Sequence, residues 1–210
     1  MTAVHSFVGD PDLPNLPDLS NLLALVTCRP MRDDDGDRLR RTFDRLSPET
    51  RYRRFFSPIT KLDDRMVAYL VGVDHEQREA FVALVDDEII GVARYDRRHD
   101  DATIAEIAVV VEDAWQGVGV GRFLMQRLGK EADRRGIVRF TADVLPSNEA
   151  PVKLARAVAP MVEVSFSGGE THLNIPLRTR PRRPRPLPAL RSPQRHPIPL
   201  PVTYGRTATL

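Results

Sequence analysis

Residues 116–122 form a glycine-rich segment of a kind that can bind a phosphate group. Gly117, Gly119 and Gly121 occupy alternate positions, after a run of valines and before a helix-like stretch. Glycine weakens both strands and helices, so three together indicate that bare backbone is needed there. At a helix start, unpaired N–H groups and the positive end of the helix dipole attract anions. The pattern therefore predicts an anion site at this loop.

The loop differs from the two common nucleotide-binding motifs. It lacks the Gly-Lys-Ser/Thr ending of a P-loop, and positions 122 and 124 are not glycine, as a GxGxxG motif would need. Asp143 lies at about the distance expected for the ribose-binding acid of a dinucleotide fold. Trp115 and Gln116, however, separate the apolar run from the glycines. A plain tight turn is the alternative, and a dinucleotide enzyme is a more distant one.

Glu106 is the second residue that could do chemistry. It is the only charged residue in the apolar stretch "TIAEIAVVV" at 103–111. Alternate side chains of a strand face opposite sides, so an outward-facing strand residue is the alternative interpretation.

The segments around these residues alternate between strand and helix patterns. We predict a strand over 22–32, helices over 33–47, 47–57 and 61–72, a hairpin over 79–98 and a buried strand within 102–113. After the loop come a helix from Val120 to near Gly136, a strand over 137–145, a helix over 146–160 capped by Ser147 or Asn148, and a hairpin over 161–177. Ser47 is the predicted N-cap of the second helix. This order is typical of an α/β fold with a mixed sheet.

Composition divides the chain of 210 residues into three parts. We expect a loosely ordered arm at 1–24, one folded domain at 25–177 and a disordered tail at 178–210. The tail holds eight arginines, eight prolines and no acids; subtracting its arginines from the net charge of +2 leaves −6 for the rest. Its arginines are not interleaved with aromatic residues, so we expect no specific nucleic-acid partner.

Several classes of protein are disfavoured by what the sequence lacks. No apolar run approaches the roughly 18 residues needed to span a membrane, and the first residues do not read as a signal peptide. Cys28 is the only cysteine, which excludes an internal disulfide. The five histidines show no ligand spacing, so no metal is expected. We expect a cytoplasmic protein.

The loop and its neighbourhood resemble the GNAT superfamily of acyl-CoA-dependent N-acyltransferases. "QGVGVG", from Gln116 to Gly121, is similar to the signature Q/R-x-x-G-x-G/A of that superfamily. The preceding strand, the following helix, the next strand and "PSNEA" at 146–150 follow the family's order. "RPMRDDDGDRLRRTFDRLSPETRYRRFF" and "AEIAVVVEDAWQGVGVG" further resemble the bacterial protein-lysine acetyltransferase branch. The resemblance covers about residues 25 to 177.

The resemblance implies a GNAT-like mixed, mostly antiparallel sheet flanked by helices, with a splayed strand pair at the acyl-CoA site. It also implies acetyl-CoA as the donor, with coenzyme A as product, and Glu106 as the general base. The loop residues implied to hold the CoA pyrophosphate are Gln116, Gly117, Val118, Gly119, Val120, Gly121 and Arg122. Val109 and Val111 are implied to pair with the pantetheine arm, and Asn148 to contact the cofactor.

The chemistry implied by the family requires a neutral amine. A lysine has a pKa of about 10.4, so deprotonating it near pH 7 costs roughly 4 to 5 kcal/mol, which a nearby carboxylate offsets. We therefore expect an N-acetyltransferase acting on a primary amine, namely a protein lysine. Transfer to a small-molecule amine is one alternative. A catalytically weak CoA-binding module is another, favoured by Ala155 and Pro151 at positions where many members carry other residues.

Overall fold

The computed structural model describes residues 19–159 and 161–177; the residues of the arm before position 19, Pro160 and the tail from position 178 lie outside the described residues. The helices are α1 (Leu19–Ala24), α2 (Gly36–Arg45), α3 (Pro48–Phe55), α4 (Asp64–Val71), α5 (Val120–Arg134) and α6 (Ala150–Val158). Short 3-10 turns at Asp33–Asp35 and Asp113–Trp115 precede α2 and α5. Within the described ranges, none of the helices has the length and apolar character needed to cross a membrane.

Seven strands form one sheet in the order β1-β2-β3-β4-β5-β7-β6. They are β1 (Thr27–Pro30), β2 (Arg78–Val85), β3 (Glu88–Arg97), β4 (Ile104–Val111), β5 (Arg139–Val144), β6 (Glu163–Ser167) and β7 (Glu170–Pro176). Only the β4–β5 pair is parallel, and every other neighbouring pair is antiparallel. The predicted mixed, mostly antiparallel sheet flanked by helices is confirmed.

Local sequence signals explain where several elements begin and turn. The Ser47 side chain accepts a hydrogen bond from the Thr50 backbone N–H, which confirms it as the N-cap of α3. Asp86 and Asp87 have φ of 49° and 64° in the β2–β3 turn, a left-handed conformation that suits a two-residue hairpin. The hairpin predicted over 161–177 is confirmed as β6–β7, and its turn lies at Gly168–Gly169.

Three local predictions differ from the structure. Residues 19–24, placed in the loosely ordered arm, form α1, and Leu22 and Leu23 pack on the core. The first strand is confined to Thr27–Pro30, because the leucines that suggested a longer strand belong to that helix. Neither Ser147 nor Asn148 caps α6: Glu149 is its N-cap residue, without a side-chain cap bond, and Asn148 is buried instead.

The sheet carries a core on each face, and β4 contributes to both. On one face, Ala105, Ile107 and Val109 pack with the buried side of α5. On the other, Val110 packs with α2 and α4 through residues such as Phe43 and Val67. The alternation of β4 thus places Glu106 on the face shared with α2–α4, since it alternates with Ala105 and Ile107.

The sheet divides beyond Glu106. β4 pairs with β3 from Ala105 to Val111, but it pairs with β5 only over Ile104–Glu106, opposite Arg139–Thr141. From Ile107 onward the two parallel strands have no ladder between them. The predicted splayed strand pair is therefore present, and Glu106 lies at its closed end.

Replacing Tyr95 with phenylalanine tests the core directly. Tyr95 is fully buried beside Phe140, and among the described residues its hydroxyl has no hydrogen-bond partner. Burial of an unpaired hydroxyl is unfavourable, so we expect Tyr95→Phe to stabilise the fold by about 1 kcal/mol. The melting temperature should rise by roughly 2–4 °C. Ile107→Ala, which empties a neighbouring core position, should instead destabilise the fold by about 2–5 kcal/mol. A loss of stability in Tyr95→Phe would show that the Tyr95 hydroxyl does make a stabilising hydrogen bond.

Candidate active site

A groove of about 310 Å³ opens between the glycine loop, β4, α3 and the start of α6. Eight of the predicted cofactor-binding residues line it: Val109, Val111, Gln116, Gly117, Gly119, Gly121, Arg122 and Asn148. The lining also includes Thr50, Arg53, Arg54, Val110, Trp115, Ala150, Pro151 and Leu154. The structure therefore brings the segments before and after the loop together around one concave surface.

The glycine loop presents backbone to this groove. Gly117 and Gly119 have φ of 78° and 104°, in a region that side chains with a β-carbon rarely adopt. Gly119 is the N-cap residue of α5, and within the described chain no side chain caps this helix. The first-turn N–H groups of α5 are thus left for a ligand, and no acid occupies that turn.

Val118 and Val120 contribute differently from their neighbours in the loop. Both side chains are buried in the core under α5 and do not line the groove. Of these two residues, only the backbone can contact a ligand in the groove. Their burial also explains the alternation of glycine and valine, because the valines anchor the loop while the glycines face outward.

Gly121 lies between two walls of the groove, α6 and the end of β4. A β-carbon built at this position would lie 3.4 Å from Leu154 Cδ2 and 3.7 Å from Val111 Cγ2. Both are ordinary van der Waals distances, so Gly121 lies within contact range of α6 and of β4. On the opposite side, Gln116 Nε2 donates to the Val111 carbonyl at 3.0 Å, which ties the loop to the end of β4.

Asp113 joins the loop to α3. Its carboxylate accepts hydrogen bonds from the Ser47 N–H at 2.8 Å and from the Ser47 and Thr50 hydroxyls at 2.7 Å each. Burial acts to raise the pKa of Asp113, but these hydrogen bonds outweigh it and hold the pKa below its usual value. The carboxylate therefore stays charged and fixes α3 against the segment that leads into the glycine loop.

Glu106 lies outside the groove lining, three residues before Val109 and so roughly 10 Å away along β4. Its pKa is raised, first by burial and then by the negative charges of Asp143 and Asp96. Arg54 and Arg98 act in the opposite direction with smaller effect. Since a carboxylate with a raised pKa binds a proton more strongly, Glu106 is suited to accept one at the closed end of the splay.

A polar cluster beside Glu106 was not predicted. Asp143 lies opposite His172 in the β5–β7 register, and its Oδ1 is 2.5 Å from His172 Nδ1. Ser167 Oγ lies 2.8 Å from His172 Nε2, and Glu170 also places a carboxylate oxygen near this pair. Asp143 and His172 lie 29 residues apart in the chain, and the pairing of β5 with β7 brings them together.

Helix α3 supplies a second set of unpredicted residues. The helix predicted over 47–57, which includes the run "RYRRFF", is confirmed as α3. Arg54, however, is only 7% exposed and borders the groove together with Thr50 and Arg53. The i, i+3 and i+4 spacing of these three residues was the available signal, since it puts them on one face of a helix.

Comparison with known families and proteins identifies relatives of this architecture. The sequence model of the acetyltransferase (GNAT) family matches residues 33–158. An acetyltransferase of Pseudomonas aeruginosa is 37% identical over 115 residues, which are 53% of this chain and 61% of that protein. Acetyltransferase Pat of Mycolicibacterium smegmatis is 34% identical over 151 residues, covering 70% of this chain and 45% of Pat. The chain thus spans about half the length of the curated relatives it matches.

Solved structures agree with this grouping. The GNAT domain of S. lividans PAT superposes with a TM-score of 0.67 at 32% identity, covering 72% of this chain and 90% of that domain. An acetyltransferase from Salmonella typhimurium, solved with acetyl-CoA, gives a TM-score of 0.59 at 19% identity over 74% of this chain and 96% of the other. The second likeness shows the shared fold alone.

Two glycines of α5 provide a matched test of the loop. Gly119→Ala forces a β-carbon onto a residue with φ of 104°, so we expect a destabilisation of about 1–3 kcal/mol. Gly129→Ala lies inside the helix, where the nearest atom to a new β-carbon is 3.7 Å away, and should stabilise by up to about 1 kcal/mol. Thermal unfolding of both variants measures the difference. Equal effects from the two would show that the loop is not conformationally strained.

Proposed function

The chain belongs to the GNAT acetyltransferase family, and from this membership we propose that it transfers an acetyl group from acetyl-CoA to the side-chain amine of a protein lysine. The observation that carries the proposal is the position of the raised-pKa carboxylate of Glu106 at the closed end of the splay, next to a groove with the family's glycine loop. Transfer to a primary amine is the general reaction, and the lysine is its more specific form.

The groove suits an acyl-CoA donor. Backbone N–H groups from Gly117 to Arg122 would hold the pyrophosphate, because the α5 first turn lacks a side-chain cap among the described residues. The part of β4 that has no ladder to β5 offers backbone groups, including those of Val109 and Val111, to the pantetheine arm. Asn148 and Arg122 border the same space. When bound, acetyl-CoA supplies a thioester whose acyl carbon is open to attack by an amine.

Glu106 would remove the proton that the attacking amine must lose. An amine attacks only in its neutral form, so a base is required at neutral pH. Burial and the charges of Asp143 and Asp96 make the Glu106 carboxylate a stronger base than an exposed glutamate. The proton would pass to a Glu106 oxygen as the new C–N bond forms and the thioester C–S bond breaks, and the leaving thiolate would take a proton from water to give coenzyme A.

A lysine acceptor is supported by the charges around Glu106. Asp143 and Asp96 share its electrostatic environment, and a cationic ammonium group is attracted to three neighbouring carboxylates. The sequence resemblance to the protein-lysine branch supports the same acceptor. A small amine would be attracted by the same charges, so the two acceptors are separated by experiment.

Transfer of labelled acetyl groups in a cell lysate tests the function. Label from acetyl-CoA is followed separately in proteins and small molecules, with wild type, Glu106→Gln and the exposed control Glu76→Gln. We expect protein label that falls about 10²–10⁴-fold in Glu106→Gln, the range for loss of a general base, and is unchanged in Glu76→Gln.

Other results would redirect the assignment. Label confined to small amines would replace the protein acceptor by a small-molecule one. Binding of acetyl-CoA, seen as a raised melting temperature, without transfer to either fraction would contradict an enzymatic role. Full activity in Glu106→Gln would show that another group removes the proton.

The pH dependence of kcat tests the electrostatic role of Asp143. At saturating substrates, kcat should rise with pH as Glu106 loses its proton, at a pKa above that of an ordinary glutamate. Asp143→Asn removes a charge that raises this pKa, so the rise of kcat with pH should occur at lower pH. Asp96 keeps acting in the same direction as Asp143, and Arg54 and Arg98 keep opposing it. Glu76 is exposed and is not among the groups that shift the pKa of Glu106, so Glu76→Gln should leave the pH dependence unchanged. An unchanged pH dependence in Asp143→Asn would mean that Glu106 does not control it.

A further inference from the structure

Arg94 is a buried cation with incomplete hydrogen bonding. Its side chain is 3% exposed, and Nη2 lies 3.1 Å from Asp96 Oδ1. Among the described residues, its Nε and Nη1 have no hydrogen-bond partner, although neither atom is accessible from the surface. A buried unsatisfied donor on a charged group is unfavourable, so these two atoms would gain from an acceptor that the described residues do not supply.

Arg94 is one of the residues that line a second cavity. This cavity measures about 50 Å³ and lies between the sheet and α2–α4. Most of its lining is apolar, with Phe43, Leu70 and Ala108 among the wall residues, and Arg54 and Arg94 provide its cationic groups. Since a water needs roughly 10–15 Å³, the cavity has room for a small group of a few heavy atoms.

The cavity adjoins the candidate active site. Arg54 and Val110 border both this cavity and the larger groove. In the β3–β4 register Arg94 lies opposite Ala108, and Asp96 lies opposite Glu106, so Arg94 is one diagonal step from the expected base. A group held by Arg94 would therefore belong to a substrate whose reacting part lies near Glu106.

Among the described residues, the charged side chains that line this cavity are both positive. Arg54 is buried, and its pKa is lowered to about 10, first by burial and then by the neighbouring charge of Arg94. Asp96 interacts with both Arg94 and Arg78, through Arg78 Nε at 2.9 Å, so one carboxylate is shared by two guanidinium groups. An anion beside Arg94 would therefore meet no carboxylate among the described residues that line the cavity.

We propose that Arg94, with Arg54 beside it, forms a subsite that binds a carboxylate carried by a substrate of the acyl transfer. The size of the cavity fits a carboxylate at the end of a short apolar arm, and a charge-assisted hydrogen bond would satisfy the free N–H groups of Arg94. Two substrates could bring this carboxylate: an acceptor with an acidic side chain beside its lysine, or a donor whose acyl chain ends in a carboxylate. The inference rests on the proposed function for the identity of these substrates.

Matched substrate pairs test the subsite on the unaltered protein. Lysine peptides that differ only in glutamate or glutamine beside the lysine form the acceptor pair, and succinyl-CoA with butyryl-CoA forms the donor pair. Binding is measured by calorimetry, with CoA present for the peptides, and transfer is measured as kcat and KM. We expect the carboxylate member of one pair to bind at least roughly tenfold more tightly, as for a charge-assisted hydrogen bond. Equal binding within both pairs would overturn the subsite.

Two arginine variants then show whether Arg94 produces the preference for a carboxylate. Arg94→Gln should reduce the preference to near unity, mainly through KM. Arg78→Gln is the matched control, because Arg78 also bonds Asp96 and stacks on Tyr69, at 4.2 Å, but does not line the cavity. It should keep the preference, whereas a preference that survives in Arg94→Gln would overturn the role of Arg94. If Arg94→Gln does not fold, the wild-type pairs still decide the proposal.

Failure of the subsite can be distinguished from failure of the proposed function. A protein that acetylates lysine peptides without regard to neighbouring charge, and binds both donors equally, is an acetyltransferase that lacks the subsite. A protein that transfers to no amine, yet prefers succinyl-CoA over butyryl-CoA in calorimetry, has the subsite but not the proposed activity. The binding measurements therefore stand independently of turnover.

Discussion

The divergence of β4 from β5 is the constraint on which the rest of the site depends. The parallel ladder ends at Glu106 and Thr141, so the following residues of β4 keep one hydrogen-bonding edge without a partner among the described strands. An edge of this kind inside a sheet is unfavourable unless another group uses it. The glycine loop and the start of α5 lie directly beyond the open end. The fold thus places Glu106, the open edge of β4 and the N-terminus of α5 one after another.

Anchoring contacts keep this opening in place. Asp113 ties the segment after β4 to α3, and Gln116 ties the loop back to Val111. Beneath them, Val118 and Val120 are buried in the core under α5. The loop is therefore held by side chains on its inner side while its outer side remains backbone. This division of roles accounts for a sequence in which every second residue is glycine.

Sequence reasoning succeeded where the signal was local and failed where it was not. The glycine loop, the Ser47 cap and the hairpin turns each depend on neighbouring residues, and the structure has them as predicted. The fold class followed from the order of the elements. The Asp143–His172 pair and the buried arginines depend on strand register and on packing between distant segments. Asn148 was assigned a cap because its residue type favours one, but burial against the groove determined its position.

The buried arginines are difficult to explain by stability alone. Apolar residues of similar volume commonly replace buried charges without loss of stability, and Arg94 lies in a wall that is otherwise largely apolar. The Tyr69 ring, 4.9 Å from its guanidinium, and Asp96 satisfy only part of its charge. Glu106 lies on the same face and is kept prone to protonation by Asp96 and Asp143, so it is a poor counter-ion. Arg94 lies near Glu106 and lines a cavity that adjoins the groove. This position is consistent with a role in binding a substrate rather than in stabilising the fold.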